Sequence, residues 1–286
     1  MSDFVRHNAV TTDFDTSDSW VILSPIEQSI KRKIEAVGTP LKDWDIQINY
    51  GIKTGYNEAF IITTEKRDEI LSNCADEDER KRTDELIRPI LRGRDIKRYG
   101  YDWAGLWLIN THNGIKGKLE RIHVEDYPAV KAFLDQYWDK ISTRADKGDT
   151  PYNLRNCAYL DDFSKPKIVW KRIGSILRFS YDDKGCFGLD STCFASGSQL
   201  AYLACVLNSK IGHYLLKDSP CTGTGDLLIS VQAIEPLKIP KAQNDSFDEL
   251  LCRILSGSEN AEINAFHAIS DLYGFNQEER EYILRR

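Results

Sequence analysis

At 286 residues, with 41% hydrophobic and 10% aromatic content, the chain is long enough to bury a real core, as one large domain or as a domain with a helical appendage. No stretch approaches the ~18–20 uninterrupted apolar residues that cross a bilayer, the first twenty residues lack a basic start followed by an apolar run, and seven scattered cysteines offer neither a disulfide framework nor a CxxC metal site, so a cytoplasmic protein without a membrane partner is expected. The net charge of -6 argues at first sight against a polyanionic partner, yet the acids concentrate in residues 1–30 and 244–286 and leave the middle net positive.

Ser24-Pro25-Ile26-Glu27 is a capping box with proline at the first helical position, followed by Ile26, Ile30, Ile34 and Val37 at helical spacing and a stop at Gly38; a helix over 25–37 is predicted. Residues 44–50 (WDIQINY) alternate apolar and polar, and 59–64 (AFIITT) are β-branched and aromatic, which makes 51–57 a turn between two strands. Its two glycines, Gly51 and Gly55, allow close backbone approach to a partner. Residues 66–91 have helical propensity with Ile87, Ile90 and Leu91 as the apolar end, 106–110 read as a strand, and 128–141 as a helix.

Strands are expected at 167–171, 176–181 and 186–189, joined by hairpin turns into a meander. From Ser198 an amphipathic helix runs through Leu200, Leu203, Leu207, Ile211 and Leu215, and 227–240 give two short strands. Three capped helices then follow, starting at Ser246, at Ala261 and after Asn276. The reading is an α+β fold: an N-terminal segment with its capped helix (1–40), a body with a mixed or antiparallel sheet (41–243), and an acidic helical tail (244–286).

Two segments are locally electropositive: residues 80–98 hold eight bases against three acids, and residues 165–178 hold five bases and no acid. Such runs are as often the solvated faces of ordinary elements as a binding surface. Catalytic patterns are missing. There is no glycine-rich cofactor turn followed by an Asn-Pro-Pro-Tyr-type tetrapeptide, and no P-loop or Gly-x-Ser-x-Gly elbow. The five histidines stand singly. The Glu-x-Lys of a metal-dependent nuclease occurs only at Glu79-Arg80-Lys81, downstream of Asp68, in a segment that reads as exposed helix.

The motifs Gly51 to Ile62, Leu91-Arg92-Gly93-Arg94-Asp95-Ile96-Lys97-Arg98-Tyr99, Tyr127-Pro128-Ala129 and Lys165-Pro166-Lys167-Ile168-Val169, with Leu207-Asn208-Ser209 and Leu272-Tyr273-Gly274, together resemble the TaqI-like C-terminal specificity domain from about Trp20 to the end. That resemblance implies a target-recognition body that reads double-stranded DNA for an adenine-N6 methyltransferase, often within a fused Type IIG restriction enzyme. The methyltransferase and nuclease halves are missing from the sequence, so the chain reads as the specificity region alone, as a subunit or as a piece of a longer enzyme. S-adenosylmethionine is then expected only on the methyltransferase, and neither a metal nor a catalytic residue on this chain.

In such a module phosphate contacts position the duplex while a few side chains read base edges. Lys53, Arg92, Arg94, Lys97, Arg98, Lys171 and Arg172 are the candidates for positioning. Tyr56, Asn57, Arg144, Tyr152 and Arg155, with Thr54 beside them, are the candidates for base contact, since they lie in polar turns rich in bidentate donors and aromatic edges. Structural roles compete with these: Arg94 and Asp95 pairing with neighbours to brace a turn, Tyr152 in the core, Asn57 favouring the turn itself. A different reading is a protein-interaction subunit whose helical ends dock a methyltransferase or a second copy through Leu251, Ile254, Ile263 and Phe266.

Overall fold

The structure, a computed structural model, describes residues 23–242 and 246–286. Its central sheet has the antiparallel order β2 (Ile46–Tyr50), β10 (Thr192–Gly197), β6 (Lys167–Lys171), β8 (Phe179–Asp182). Successive side chains on a strand point to opposite faces. Ile168 and Trp170 of β6, with Cys193 and Ala195 of β10, therefore enter one core, while Val169 and Phe194 enter another. This is why KIVWK carries an almost unbroken apolar run where a half-solvated strand would alternate.

The first core is closed by helices α1 (Pro25–Val37), α7 (Leu200–Asn208), α8 (Lys210–Leu216), α10 (Ser246–Leu255), α11 (Ala261–Tyr273) and α12 (Gln277–Arg285), which supply Ile30, Leu203, Ile211, Leu251, Phe266 and Ile283 among others. The second core is built on a second sheet, β3 (Ile61–Thr63), β5 (Leu106–Ile109), β4 (Ile87–Leu91), β9 (Phe187–Gly188), antiparallel except for the parallel pair of β4 with β9. Helices α3 (Thr64–Ser72), α4 (Glu77–Leu86) and α5 (Pro128–Asp135) cover it with Ile70, Leu86, Val130, Phe133 and Leu134.

The α+β reading holds, and so does the capping box: the Ser24 hydroxyl oxygen accepts from Glu27 N, and the Glu27 carboxylate accepts from Ser24 N. Several elements differ from expectation. Residues 87–91 form strand β4 rather than the end of a helix, because Pro89 has no N–H to continue a helical ladder and its ring clashes with the preceding turn. A short helix, α2 (Asn57–Phe60), precedes β3. The helix expected at 128–141 breaks after Asp135 and resumes as α6 (Trp138–Ile141), and the one from Ser198 breaks at Ser209, whose hydroxyl caps α8 through Gly212 N. The meander is also corrected: β8 begins only at Phe179, and β9 leaves the central sheet to join β4. The short strands near 227–240 close two small pairs, β11 (Leu227–Leu228) with β7 (Ile173–Gly174) and β12 (Lys238–Ile239) with β1 (Thr39–Pro40), with α9 (Val231–Ile234) between them.

Packing does not follow the chain-order division at 40 and 243. The N-terminal helix and the tail share one core, and Lys33 of α1 donates to the Gly274 carbonyl at 2.8 Å and pairs with Glu279 at 2.6 Å. Leu251 and Phe266 are buried in that core and Ile254 packs against it, so of the four apolar side chains considered for docking only Ile263 is exposed.

At one end of the central sheet Lys167 and Asp182 form a fully buried ion pair at 2.5 Å. Asp182 also accepts from Tyr101 Oη (3.0 Å), Lys184 N (3.1 Å) and Cys186 N (3.0 Å), and Lys167 Nζ donates to the Phe163 carbonyl (2.6 Å). Such a pair need not add net stability over an apolar one, but losing one partner strands a buried charge. Asp182→Ala should therefore cost about 3–5 kcal/mol in guanidinium unfolding; a loss below about 1 kcal/mol, the range of a surface pair, would contradict this account of the sheet.

Candidate nucleic-acid interface

Strands β2 and β6 both run antiparallel to β10, so Tyr50, Lys171 and Thr192 lie together at the sheet end opposite the buried ion pair. The chain leaving β2 is clamped there, with Gly51 N donating to the Thr192 carbonyl (2.9 Å) and Ile52 N to the Gly188 carbonyl (2.7 Å). A β-carbon on Gly51 would lie 1.9 Å from the Leu189 carbonyl oxygen, and Gly55, at φ +73°, sits against the Asp146 carbonyl. The close approach that these glycines permit is therefore to the chain itself, which corrects the expectation that they admit a partner.

Ser191 links two more turns to this end: its carbonyl accepts from Arg172 N (3.0 Å), and its hydroxyl from Gly93 N (3.1 Å) at the start of the 3-10 turn Gly93–Asp95. Lys171, Arg172 and Arg94 are thereby gathered in one neighbourhood. Beside them opens a cleft of about 790 Å3 lined by Tyr50, Lys53, Arg155, Tyr159, Arg172 and Asp190, among others. Burial pushes the Tyr159 hydroxyl up to about 12 and the Cys157 thiol up to about 11. At neutral pH the cleft therefore presents a neutral phenol and a thiol without nucleophilic thiolate character.

The candidate cations divide by partner. Among the described residues the side chains of Arg94, Lys171 and Arg172 make no ion pair or hydrogen bond. Lys53 and Arg155 share Asp146, at 2.6 and 3.3 Å, with both cations well exposed, an arrangement that a phosphate can displace at small cost. Arg92 grips Asp95 with both ends of its guanidinium (3.0 and 2.8 Å) while Asp95 also accepts from Arg92 N. The brace considered for Arg94 is thus made by Arg92, and Arg94 is exposed. Lys97 pairs with Asp102 at 3.2 Å. Arg98 donates to the Asn208 carbonyl (3.0 Å) and pairs with Glu262 of α11, so this one base is tied to the acidic tail.

Among the expected base readers, Arg144 is corrected. It is 7% exposed and donates to the carbonyls of Thr54, Asp146 (2.9 Å), Pro151 (3.0 Å) and Asn153 (2.6 Å), with its guanidinium 4.3 Å from the Phe60 ring. Burial lowers its pKa to about 10, which leaves it cationic at neutral pH. Arg144 is thus a clamp that ties the 146–153 stretch to the turn carrying Lys53. Thr54 is likewise buried; its hydroxyl donates to Asn57 Oδ1 (2.6 Å) and accepts from Tyr56 N (3.2 Å), which shapes the turn. Asn57 is exposed and Tyr56 lies against Tyr137. Tyr152 sits away from the cleft on the α5 and α6 surface, its hydroxyl donating to Asp135 (2.5 Å) and its ring beside Trp138 and Lys131. Glu79, the would-be nuclease carboxylate, is buried and accepts from Ala129 N (2.8 Å) and Ala75 N (2.7 Å), a structural role.

Tyr50, Tyr159, Asp190 and Gln232 are among the cleft residues that the sequence did not single out. Tyr50 donates to Gln232 Oε1 at 2.8 Å. Its place at the end of a strand directly before Gly51 was a usable signal, whereas nothing in sequence marks Gln232.

Residues 88–227 match the TaqI-like C-terminal specificity domain. The resemblance read from the motifs thus holds over that span, which includes the 91–99, 127–129, 165–169 and 207–209 segments and leaves the 51–62 turn and the tail outside it. The fold is similar to that of the Type IIL restriction-modification enzyme MmeI, solved in complex with DNA, at a TM-score of 0.58 and 12% identity over 87% of this chain. A second similar structure is the Type IIG restriction endonuclease BpuSI, at a TM-score of 0.47 and 15% identity over 89% of the chain. The chain spans 37% and 33% of the lengths of those enzymes. The matched span contains Arg94, Arg155, Lys171 and Arg172 of the sheet end, and Lys53 precedes it.

Arg144→Ala should destabilise the protein by about 3 kcal/mol or more in chemical denaturation, since several buried carbonyls lose their donor at roughly 1–3 kcal/mol each. Arg94→Ala should stay within about 0.5 kcal/mol of wild type. Equal effects would contradict the division drawn between clamp and free cation.

Proposed function

We propose that the chain is the target-recognition module of a restriction-modification system, which reads double-stranded DNA for an adenine-N6 methyltransferase carried as a fused domain or as a partner subunit. The observation that carries this reading is the convergence of Arg94, Lys171 and Arg172, none of them paired among the described residues, with the weakly paired Lys53 and Arg155 at one end of the central sheet. Unpaired cations on an acidic protein suit a polyanion, because each phosphate they neutralise releases counterions. The specificity-domain match and the restriction-modification enzymes of similar fold support the same assignment.

Under this reading the cations fix the register of the duplex, and the exposed side chains of Arg155 and Asn57 are the base contacts that survive of those expected. Arg92, Arg98, Arg144, Thr54 and Tyr152 support the fold, and Lys97 keeps only an exposed pair with Asp102. Base flipping and methyl transfer, with S-adenosylmethionine, belong to the methyltransferase. The bacterial cytoplasm is the proposed setting, and no helix among the described residues is long and apolar enough to cross a membrane.

Duplex binding should weaken steeply between about 50 and 200 mM salt, and Arg172→Ala and Lys171→Ala should each lower the log–log salt slope by about 0.9 while weakening binding to all sequences alike. Arg98→Ala should leave that slope unchanged. Binding that is absent at low salt, or indifferent to salt, in a fluorescence anisotropy titration would refute the assignment.

A further inference from the structure

The turn between β7 and β8 carries an isoleucine that folding leaves in water. Ile176 is 61% exposed, the highest value among the exposed large hydrophobic side chains of the described residues, whereas its neighbour Leu177 is buried in the first core. The turn is held on both sides: Ile173 and Gly174 pair with Leu228 and Leu227, and Leu177 anchors the return. An isolated exposed isoleucine is ordinary. The surroundings of this one are not, since Lys171, Arg172 and Arg178 flank it, none of them in an ion pair among the described residues, and no carboxylate occurs between Lys165 and Tyr181. A β-carbon placed on Gly174 would lie 3.7 Å from Lys171 Nζ and 3.8 Å from the Ile176 carbonyl oxygen, which sets the free ammonium beside the turn.

We propose that Ile176 is an apolar wedge that enters between stacked base pairs while Lys171, Arg172 and Arg178 hold the phosphates on either side. This rests on the DNA-recognition reading above. A duplex presents that combination of anionic rails around an apolar stack, and apolar side chains such as isoleucine unstack base steps in this way. A protein partner fits less well: one protruding side chain among cations offers far less than the roughly 800 Å2 per partner of a standard interface.

The full chain can be titrated by fluorescence anisotropy against two fluorescein-labelled duplexes of one sequence, one intact and one with a central single-nucleotide gap that relieves the cost of unstacking. Wild type should bind the gapped duplex about tenfold more tightly, the gap having removed part of that cost. Ile176→Ser should bring the ratio close to one without changing the thermal unfolding temperature, since the side chain is largely exposed and belongs to neither core. Lys171→Ala should weaken both complexes and keep the ratio. A ratio that Ile176→Ser leaves at its wild-type value, or no wild-type preference for the gap, overturns the wedge. Wild-type protein that binds neither duplex at low salt refutes instead the DNA-recognition reading itself. An unchanged ratio accompanied by loss of methyltransferase capture or of self-association assigns Ile176 to a protein contact, and also overturns the wedge.

Discussion

Everything else in the molecule hangs on two strands that are buried on both faces. β6 and β10 send alternate side chains into different cores, so a register slip of one residue would exchange Val169 and Phe194 with Ile168, Trp170, Cys193 and Ala195 and leave neither core filled. Each large side chain so placed is worth about 1.5–3 kcal/mol of burial. Phe194 extends the constraint to the site, because its ring lies 4.7 Å from Phe163 and 6.1 Å from Tyr159, and Tyr159 lines the cleft.

The same sheet separates two uses of charge. At one end Lys167 and Asp182 are sealed from water and saturated with hydrogen bonds, so that pair is committed to the fold. At the other end Lys171 and Arg172, four and five residues beyond Lys167 in the same strand direction, reach solvent with no acidic partner among the described residues. The clamp of Arg144 and the brace of Arg92 stand between these extremes. Each gives up its own availability to hold a turn in place, and the turns they hold carry Lys53 and Arg94. An electropositive surface on a net acidic protein is built in this way, by selective pairing rather than by excess of bases.

Local chemistry was legible wherever one short stretch contained the whole cause. The capping box of Ser24 and Glu27, the alternation of 46–50, the apolar run 167–171 and the asparagine cap at 276 each produced the element expected. Legibility failed where a distant partner decided: 186–189 has the composition of a hairpin strand, yet β9 pairs with β4, nearly a hundred residues earlier. At 87–91 the signal was local, since Pro89 rules out a continued helix.

For the site, the sequence by itself determined which segments are basic, that residues 165–178 lack any acid, and the resemblance to a specificity domain. These follow from residue identity alone. Tertiary structure alone decided which cations are free. A guanidinium in a polar turn looks the same in sequence whether it meets water, as Arg94 does, a carboxylate, as Arg92 does, or four carbonyls, as Arg144 does. The partner that settles the matter is brought in by packing between segments far apart in the chain, and charge pairing falls off too quickly with distance for one-dimensional spacing to reveal it.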